Sequence, residues 1–208
     1  ILNILQLKEP PLIRSKILAT GSYLPEKILT NHDLPAHLET SHDWIVQRTG
    51  IHKRHIAAPE QSTADLGAEA AKNALKGFDP LEIDLIICAT TTPDHTFPGI
   101  ATMIQEKIEA HNAVAFDLQG VCSGYIYALS VAQQFIENGM HKKALVIGAE
   151  TMSRILDWDD RRTCVLFGDG AGAILLGAGD TGILSTYIKS DGRCFDMLYV
   201  DGGVTSKH

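Results

Sequence analysis

The stretch AFDLQGVCSGYIYAL, residues 115–129, decides the fold prediction for this chain. Its apolar beginning predicts a β-strand, and Gly120 and Gly124 lie on either side of Cys122 in the predicted turn. The helical pattern that follows continues to Gly139, a typical helix stop. Glycine lets a backbone bend sharply and lets a substrate approach closely. The sequence therefore predicts a strand–turn–helix elbow that carries a thiol.

The chemistry of such an elbow favours nucleophilic catalysis by Cys122. A thiol near the N-terminus of a helix meets the positive end of the helix dipole, which favours a thiolate. Free backbone N–H groups at the turn can stabilise an oxyanion, as in the serine elbow of α/β hydrolases. The alternative is a buried structural cysteine, which fits Cys88 in LIICAT and Cys164 in TCVLF. Cys194 lies in a polar turn, and without a CxxC pair a zinc or dithiol site is not expected.

Along the whole chain, predicted strands and helices alternate, and the last predicted elements are consecutive strands. This order predicts an α/β domain in which a mixed sheet carries helices on its faces. The run DLIICATT is typical of a strand buried on both faces, and TCVLFGDGAGAILLGA is interpreted as two apolar segments joined by a tight glycine turn. Further strands are predicted at KILAT (16–20, followed by a turn over 21–27), ILT (28–30), IHKRHIA (51–57), KALVIGAE (143–150) and GILSTYI (182–188). Helices are predicted after Ser41 up to Gly50, after Ser62 up to Gly77, over 98–110 and at 152–158.

Composition and charge narrow the class of protein. The chain has 208 residues, of which 45% are apolar and 21% charged, with a net charge of −7, as expected for an ordinary globular protein. An acidic chain without a basic run is a poor candidate for binding nucleic acid or an anionic membrane surface. No apolar run approaches the roughly 20 residues of a transmembrane helix, and the first residues lack a signal-peptide pattern. We expect a cytoplasmic protein with reduced thiols.

Three further segments support a resemblance that begins at the elbow, which resembles the nucleophile elbow of β-ketoacyl-acyl-carrier-protein synthase III, in the thiolase superfamily. TSHDWIVQRTGIHKRHIA (40–57) resembles the family's N-terminal signature, ATTTPDHTFPG (89–99) its dimer-contact loop, and DDRRTCVLFGDGAGAILL (159–176) its FGDGAGA motif. The match runs from about Ser15 to Gly192. It implies a thiolase-like fold, a mixed five-stranded sheet with helices on both faces, as the first of two similar family halves.

The resemblance implies roles for particular residues. Cys122 would accept the acyl group, Trp44 would stack on the adenine of coenzyme A, Arg48 and Arg161 would flank that nucleotide, and Thr40 would lie in the same region. From the residues alone, Trp44 is by default a packing residue and Arg48 a solvated charge. Arg161, like its neighbour at 162, could equally form a surface ion pair of small energetic value with one of the two preceding aspartates.

Two aromatic residues receive roles from the same resemblance. Phe97 would reach across a homodimer interface to line the partner's acyl pocket, and Phe167 would lie near the nucleophile. The family supplies a catalytic His and Asn from its second half. None of the chain's nine histidines falls at the matching position, so neither catalytic residue is assigned.

Three other sequence patterns resemble functional motifs but do not predict a functional site. GDGAGA resembles part of a dinucleotide fingerprint, but apolar AILLG follows it rather than an amphipathic helix. His52 and His55 would project from opposite faces of a strand, which argues against a shared metal ion. The adjacent pair Asp94-His95 is interpreted as part of a surface loop, and no metal site is predicted.

The implied function is that of a fatty-acid-synthesis acyltransferase that uses acyl-CoA and malonyl-acyl carrier protein and needs no permanently bound cofactor. The alternatives are a truncated, non-catalytic thiolase-like subunit that binds a partner or a CoA ester, and another thiolase-superfamily reaction. The predicted layout is an extension over residues 1–14, an N-terminal thiolase-like half over 15–192, and the start of a connection to a second half over 193–208. A half-fold of this kind would expose a large apolar patch.

Overall fold

The computed structural model describes residues 13–201 and residue 203, and it contains two β-sheets and four α-helices within them. The strands are β1 Arg14–Tyr23, β2 Lys27–Thr30, β3 Lys53–Ile56, β4 Leu85–Ala89, β5 Val114–Leu118, β6 Lys143–Thr151 and β7 Asp169–Gly179. The helices are α1 His42–Thr49, α2 Thr63–Ala74, α3 Ile100–Lys107 and α4 Gly124–Glu137. Short 3-10 turns occur at Asn31–Asp33, Ala36–Leu38, Pro80–Glu82, Val121–Ser123, Met152–Arg154 and Gly192–Cys194.

The main sheet has five strands in the order β1-β7-β6-β4-β5. β4 pairs in parallel with both β5 and β6, whereas β7 pairs antiparallel with both β6 and β1. β2 and β3 form a separate antiparallel pair. The sheet is therefore mixed, which confirms the predicted fold class.

Helices cover both faces of this sheet, and β4 is therefore buried on both faces. Ile86 and Cys88 point into a cluster with the apolar side chains of α2 and α3, while Leu85 and Ile87 point into a cluster with α4. Successive strand residues face opposite sides of a sheet, so an uninterrupted apolar run is the pattern that such a strand requires.

The predicted helix starts agree closely with the structure. The Ser41 hydroxyl accepts a hydrogen bond from the Trp44 backbone N–H at 3.1 Å, and α1 ends at Gly50, whose φ is 72°. Ser62 and Asp65 form a reciprocal capping box at the start of α2. These signals lie within one helical turn, so the sequence was sufficient to place them.

The predicted glycine turn in GDGAGA is wrong. β7 runs without a break from Asp169 to Gly179. Residues 169–173 of the glycine segment pair with β6, and residues 171–173 pair with β1 as well, so this part of the segment is held in an extended conformation. A side chain at Gly148, the β6 partner of Gly172, would meet the Tyr125 ring at 3.0 Å. The small residues therefore allow an α4 side chain to approach the sheet, and TCVLF precedes the strand as a turn.

Two further strand predictions need correction. Residues 182–188 form no strand, and this segment meets the edge strand β1 through a hydrogen bond from the Ile183 N–H to the Ser15 carbonyl at 2.9 Å. β1 continues to Tyr23 instead of turning at Gly21, which packs so closely on α2 that a Cβ would lie 2.3 Å from the Ala70 carbonyl oxygen. β1 also begins at residue 14, inside the predicted extension, whose first 12 residues lie outside the described part of the chain.

Candidate active site

The predicted elbow is present at the end of β5. The strand ends at Leu118, a 3-10 turn spans Val121–Ser123, and α4 begins at Gly124. Cys122 lies in the middle of this turn and its side chain is exposed to solvent. The structure thus presents this thiol to solvent at the carboxyl edge of the parallel strands, where ligands commonly bind in open α/β sheets.

The other cysteines differ from Cys122 in burial or in setting. Cys88 and Cys164 are 0% exposed, which confirms their interpretation as structural residues. Burial raises the pKa of the Cys88 thiol well above its ordinary value. Cys194 is exposed, in a short 3-10 turn far along the chain. Cys122 therefore differs from the other three cysteines because its thiol is both exposed to solvent and located on a strand–turn–helix elbow.

The bend of the elbow differs from the predicted one, because the strained residue is not a glycine. Val121 has a φ of 48°, in the left-handed region that a β-branched residue rarely adopts, whereas Gly120 has a φ of −165°. Gly120 is instead required by a close approach, because a Cβ there would lie 2.7 Å from the Tyr127 ring. Such strain costs about 1–3 kcal/mol and is typical of functional turns.

The loop between β4 and α3 forms a neighbouring wall and is anchored at both ends. Asp94 accepts hydrogen bonds from the backbone N–H groups of Thr63 and Ala64 at 2.7 and 3.0 Å, so it caps α2. Asp117 accepts from the first two N–H groups of α3, both at 2.7 Å. Asp94 and His95 do lie in a loop, with Asp94 partly exposed and His95 exposed, as predicted, but the Asp94 carboxylate has the additional role of holding a helix start.

Glu150, at the end of β6, anchors the beginning of the same loop. Its carboxylate accepts a hydrogen bond from the Thr91 backbone N–H at 2.8 Å and others from the hydroxyl groups of Thr90 and Thr92. Burial raises the pKa of Glu150, and these hydrogen bonds offset part of that increase. No feature of the sequence other than its position at the end of a predicted strand signalled this role.

We expect Glu150→Gln to flatten the pH dependence of stability. A carboxyl group whose folded pKa is raised contributes stability below its unfolded pKa and loses it as the pH rises through the folded value. Glutamine stays neutral, and the threonine hydroxyl groups can reverse their roles to accept from its amide. Urea unfolding midpoints from about pH 5 to about pH 8 measure this difference. Parallel curves for the two proteins would contradict the prediction.

Trp44, Arg48 and Arg161 are brought together on α1 and the loop before β7. The guanidinium carbon of Arg48 lies 4.8 Å from the Trp44 ring centroid, and that of Arg161 lies 5.9 Å away. Trp44 is 37% exposed, so it is not a core residue. Arg161 donates a hydrogen bond to the Glu39 carbonyl at 2.8 Å, which holds this arginine close to the indole.

The two aspartates considered as ion-pair partners for Arg161 contact other residues. Asp160 forms an ion pair with Arg162 at 2.9 Å, and Asp159 forms a hydrogen bond with the His37 ring at 2.7 Å. Arg161 is therefore left to contact the aromatic ring and the neighbouring carbonyl. This arrangement required the tertiary structure, because the sequence offered two aspartates as equally near partners.

Thr40 lies beside this group, in a pocket of about 380 Å³. The pocket is lined by Asn31, His32, Leu34, Thr40, Ser41, His42 and Asp43. The Thr40 hydroxyl is buried and has no hydrogen-bond partner among the described residues. An unpaired buried hydroxyl is energetically costly.

The histidines near this pocket contact one another but do not form a metal site. The His32 and His42 rings stack at 4.7 Å, and the His52 ring lies 5.5 Å from that of His42. His55 instead faces the Pro25 carbonyl at 2.5 Å. Over residues 13–201 and 203, no group of three or more potential ligands has a geometry that could hold a metal ion.

The two phenylalanines lie on other segments of the chain. Phe97 is 84% exposed in the loop before α3, and Phe167 is partly exposed two residues before β7. A second pocket, of about 220 Å³, separates this loop from the end of β5 and is lined by Thr90, Pro93, His95, Thr96, Asp117, Leu118 and Gln119. The roles of both phenylalanines remain predictions.

Comparison with known proteins identifies the family. The sequence profile of 3-oxoacyl-[acyl-carrier-protein (ACP)] synthase III matches residues 116–192. β-Ketoacyl-[acyl-carrier-protein] synthase III from Ehrlichia canis is 58% identical over 195 residues, covering 91% of this chain and 61% of that protein. The protein of the same name from Paramagnetospirillum magneticum is 54% identical over 204 residues, covering 94% and 63%.

The chain belongs to the β-ketoacyl-[acyl-carrier-protein] synthase III family. Solved structures support this at the level of the fold. The synthase III of Aquifex aeolicus superposes with a TM-score of 0.77 at 48% identity, covering 80% of this chain and 55% of that one. The synthase III of Pseudomonas aeruginosa gives a TM-score of 0.81 at 39% identity, covering 88% and 57%.

These comparisons confirm the thiolase-like α/β fold. The chain spans 61–63% of the length of the two curated synthase III relatives described above. Among the residues that the structure describes, no helix combines the length and hydropathy that a transmembrane span needs.

Proposed function

We propose that Cys122 accepts a short acyl group from acyl-CoA. The observation that carries this proposal is the exposed thiol on a strained elbow between a buried sheet and the first turn of α4. The Cys122 sulfur would attack the thioester carbonyl carbon, the bond from that carbon to the coenzyme A sulfur would break, and coenzyme A would leave as a thiol with the proton from Cys122. A thiolate is a strong nucleophile, and covalent catalysis of this kind predicts ping-pong kinetics.

The cluster of Trp44, Arg48 and Arg161 supports coenzyme A as the acyl carrier. A half-exposed indole flanked by two guanidinium groups offers an aromatic face for adenine and positive charge for the nearby phosphates. Thr40 provides a buried hydroxyl that has no partner among the described residues. We therefore propose that Trp44, Arg48, Arg161 and Thr40 bind the nucleotide portion of the substrate.

The second proposed step is decarboxylative condensation of the acyl group with malonyl-acyl carrier protein in fatty acid biosynthesis. In this proposal the protein acts in the cytoplasm as a homodimer without a permanently bound cofactor. Phe97 lines the partner's acyl pocket, Phe167 lies near the nucleophile, and residues 193–208 begin the connection to a second half. The high exposure of Phe97 is compatible with a role at an interface.

Incubation of the full chain with acetyl-CoA tests the first step. We expect the intact mass to increase by one acetyl group, and peptide mapping to place that group on Cys122. Native mass spectrometry or circular dichroism verifies that the chain is folded before the reaction. A folded chain that gains no acetyl group on Cys122 would contradict the proposal.

A second candidate function is a non-catalytic thiolase-like subunit that binds a partner or a CoA ester. It is favoured by a row of exposed large apolar side chains near the described end of the chain, at Leu184, Tyr187, Ile188, Phe195, Met197, Leu198, Tyr199 and Val200. A large amount of exposed apolar surface is typical of a segment that packs on a partner. Release of carbon dioxide from malonyl-acyl carrier protein by the 208-residue chain alone would exclude this candidate.

A further inference from the structure

Arg54 is a buried cation that contacts three separate segments of the chain. It lies on β3 and is only 4% exposed. Its Nη2 donates to the Asn31 side-chain oxygen at 2.8 Å and to the Val165 carbonyl at 3.0 Å, and its Nη1 donates to the Leu29 carbonyl at 3.5 Å. The guanidinium therefore bridges β2, the turn that follows β2, and the loop before β7.

Asn31 extends this bridge to both ends of α1. It is 5% exposed, and its amide donates to the Ile51 carbonyl at 2.7 Å, just after the helix. The same amide lies 3.5 Å from Nδ1 of His42, the first residue of α1. Its backbone N–H donates to the His52 carbonyl at 3.3 Å. The Arg54–Asn31 pair thus fixes the helix that carries Trp44 and Arg48.

Val165 extends the bridge to the segment that carries Arg161. It follows Arg161 by four residues, and together with Cys164 it packs on Leu38 and Ile45 in a small apolar cluster. The cluster fixes the base of this loop, while Arg54 holds its backbone carbonyl. One guanidinium therefore connects the two segments that supply Arg161 and the indole.

We propose that Arg54, acting through Asn31 and Val165, is a positioning residue that sets the spacing of Trp44, Arg48 and Arg161 for the nucleotide of a CoA ester. This proposal rests on the proposed function in naming the ligand. A purely structural role would be served as well by an apolar side chain, because a buried cation is costly unless fully paired. Yet the Arg54 Nε has no hydrogen-bond partner, and no carboxylate lies within ion-pair distance, among the described residues.

The test uses the full chain with its tryptophans replaced biosynthetically by 5-fluorotryptophan. The chain has two tryptophans, and the variant Trp158→Phe assigns their fluorine resonances. We expect Arg54→Met to shift the Trp44 resonance without any ligand and to raise the dissociation constant for coenzyme A by about tenfold, because a binding site that is no longer preorganised pays an ordering cost. Arg54→Lys keeps the positive charge and one donor nitrogen, so it is expected to restore part of the affinity.

Asp84→Asn is the matched control for destabilisation. Asp84 accepts hydrogen bonds from the Lys142 and Lys143 N–H groups at 2.7 and 3.0 Å, at the opposite end of β4 from the elbow. Its loss should lower the unfolding temperature but leave the Trp44 resonance and coenzyme A affinity unchanged. If Arg54→Met does not fold, the Trp44 resonance and the coenzyme A affinity are measured in Arg54→Lys instead.

The outcomes separate this proposal from the proposed function. An unchanged Trp44 resonance and an unchanged affinity in the folded Arg54 variants would overturn the positioning role, as would an equal loss of affinity in Asp84→Asn. If the parent chain binds no coenzyme A but its Trp44 resonance still shifts in Arg54→Met, the positioning of the ring stands while its assignment to a CoA ester fails.

Discussion

Replacing Cys122 with alanine is expected to reduce acyl transfer from acetyl-CoA to the folded chain by at least about 10³-fold. The reason is that the elbow supplies one exposed thiol to the carboxyl edge of the sheet, and the cysteines at 88 and 164 are fully buried. The variant should remain folded, because the Cys122 side chain projects into solvent and contributes little packing. Intact mass spectrometry of the acylated protein over time measures the rate.

Cys194→Ala is the matched control, since Cys194 is the other exposed cysteine in the described chain. Its side chain lies in a 3-10 turn that no strand directly precedes and that no long helix follows as far as the structure describes the chain. We expect this variant to be acylated at the same rate as the parent. Equal acylation of Cys122→Ala, or an adduct mapped to Cys194, would show that exposure rather than the elbow decides reactivity.

Asp169→Ala is expected to lower the free energy of unfolding by at least about 3 kcal/mol, which corresponds to a fall of roughly 6–12 °C in the unfolding temperature. The Asp169 carboxylate is buried and accepts hydrogen bonds from the Ala57 N–H at 2.7 Å, the Ser153 N–H at 2.8 Å and the Ser153 hydroxyl at 2.6 Å. Alanine would leave all of these donors without an acceptor. Thermal unfolding followed by circular dichroism measures the loss.

The controls for Asp169 separate charge from hydrogen bonding. Asp169→Asn keeps one oxygen but turns an amide toward a donor, so an intermediate loss is expected. Asp180→Ala removes an exposed carboxylate just after β7 and should change the unfolding temperature little. If Asp169→Ala is as stable as Asp180→Ala, the FGDGAGA aspartate does not join these segments in solution.

Several features could be predicted from the sequence because their causes are local. The starts of α1 and α2 follow from Ser41 and Ser62, whose side chains cap N–H groups within the next turn. The buried strand β4 follows from its continuous apolar run. The elbow at Cys122 follows from a strand pattern directly before a helix pattern, and resemblance to the family placed Trp44 and Arg48 in one site.

Other features depend on partners distant in the sequence. The GDGAGA segment was predicted to form a turn, but pairing of residues 169–173 with β6, and of residues 171–173 with β1 as well, keeps it extended. Arg161 was one of two adjacent arginines beside two aspartates, and the fold decides which one contacts Trp44. The buried roles of Arg54 and Glu150 had no local signal, since a charged residue near a strand is ordinarily solvated.

By itself, then, the sequence determined the mixed α/β architecture and the thiol at the elbow, because helix caps, apolar periodicity and a strand-to-helix junction act over a few residues. Only the tertiary structure decided how that elbow bends, with the strain on Val121 and the close approach on Gly120. It also decided which polar side chains hold the surrounding loops. Those choices depend on burial and on hydrogen bonds between distant segments, as between Ala57 and Asp169, which lie 112 residues apart in the sequence.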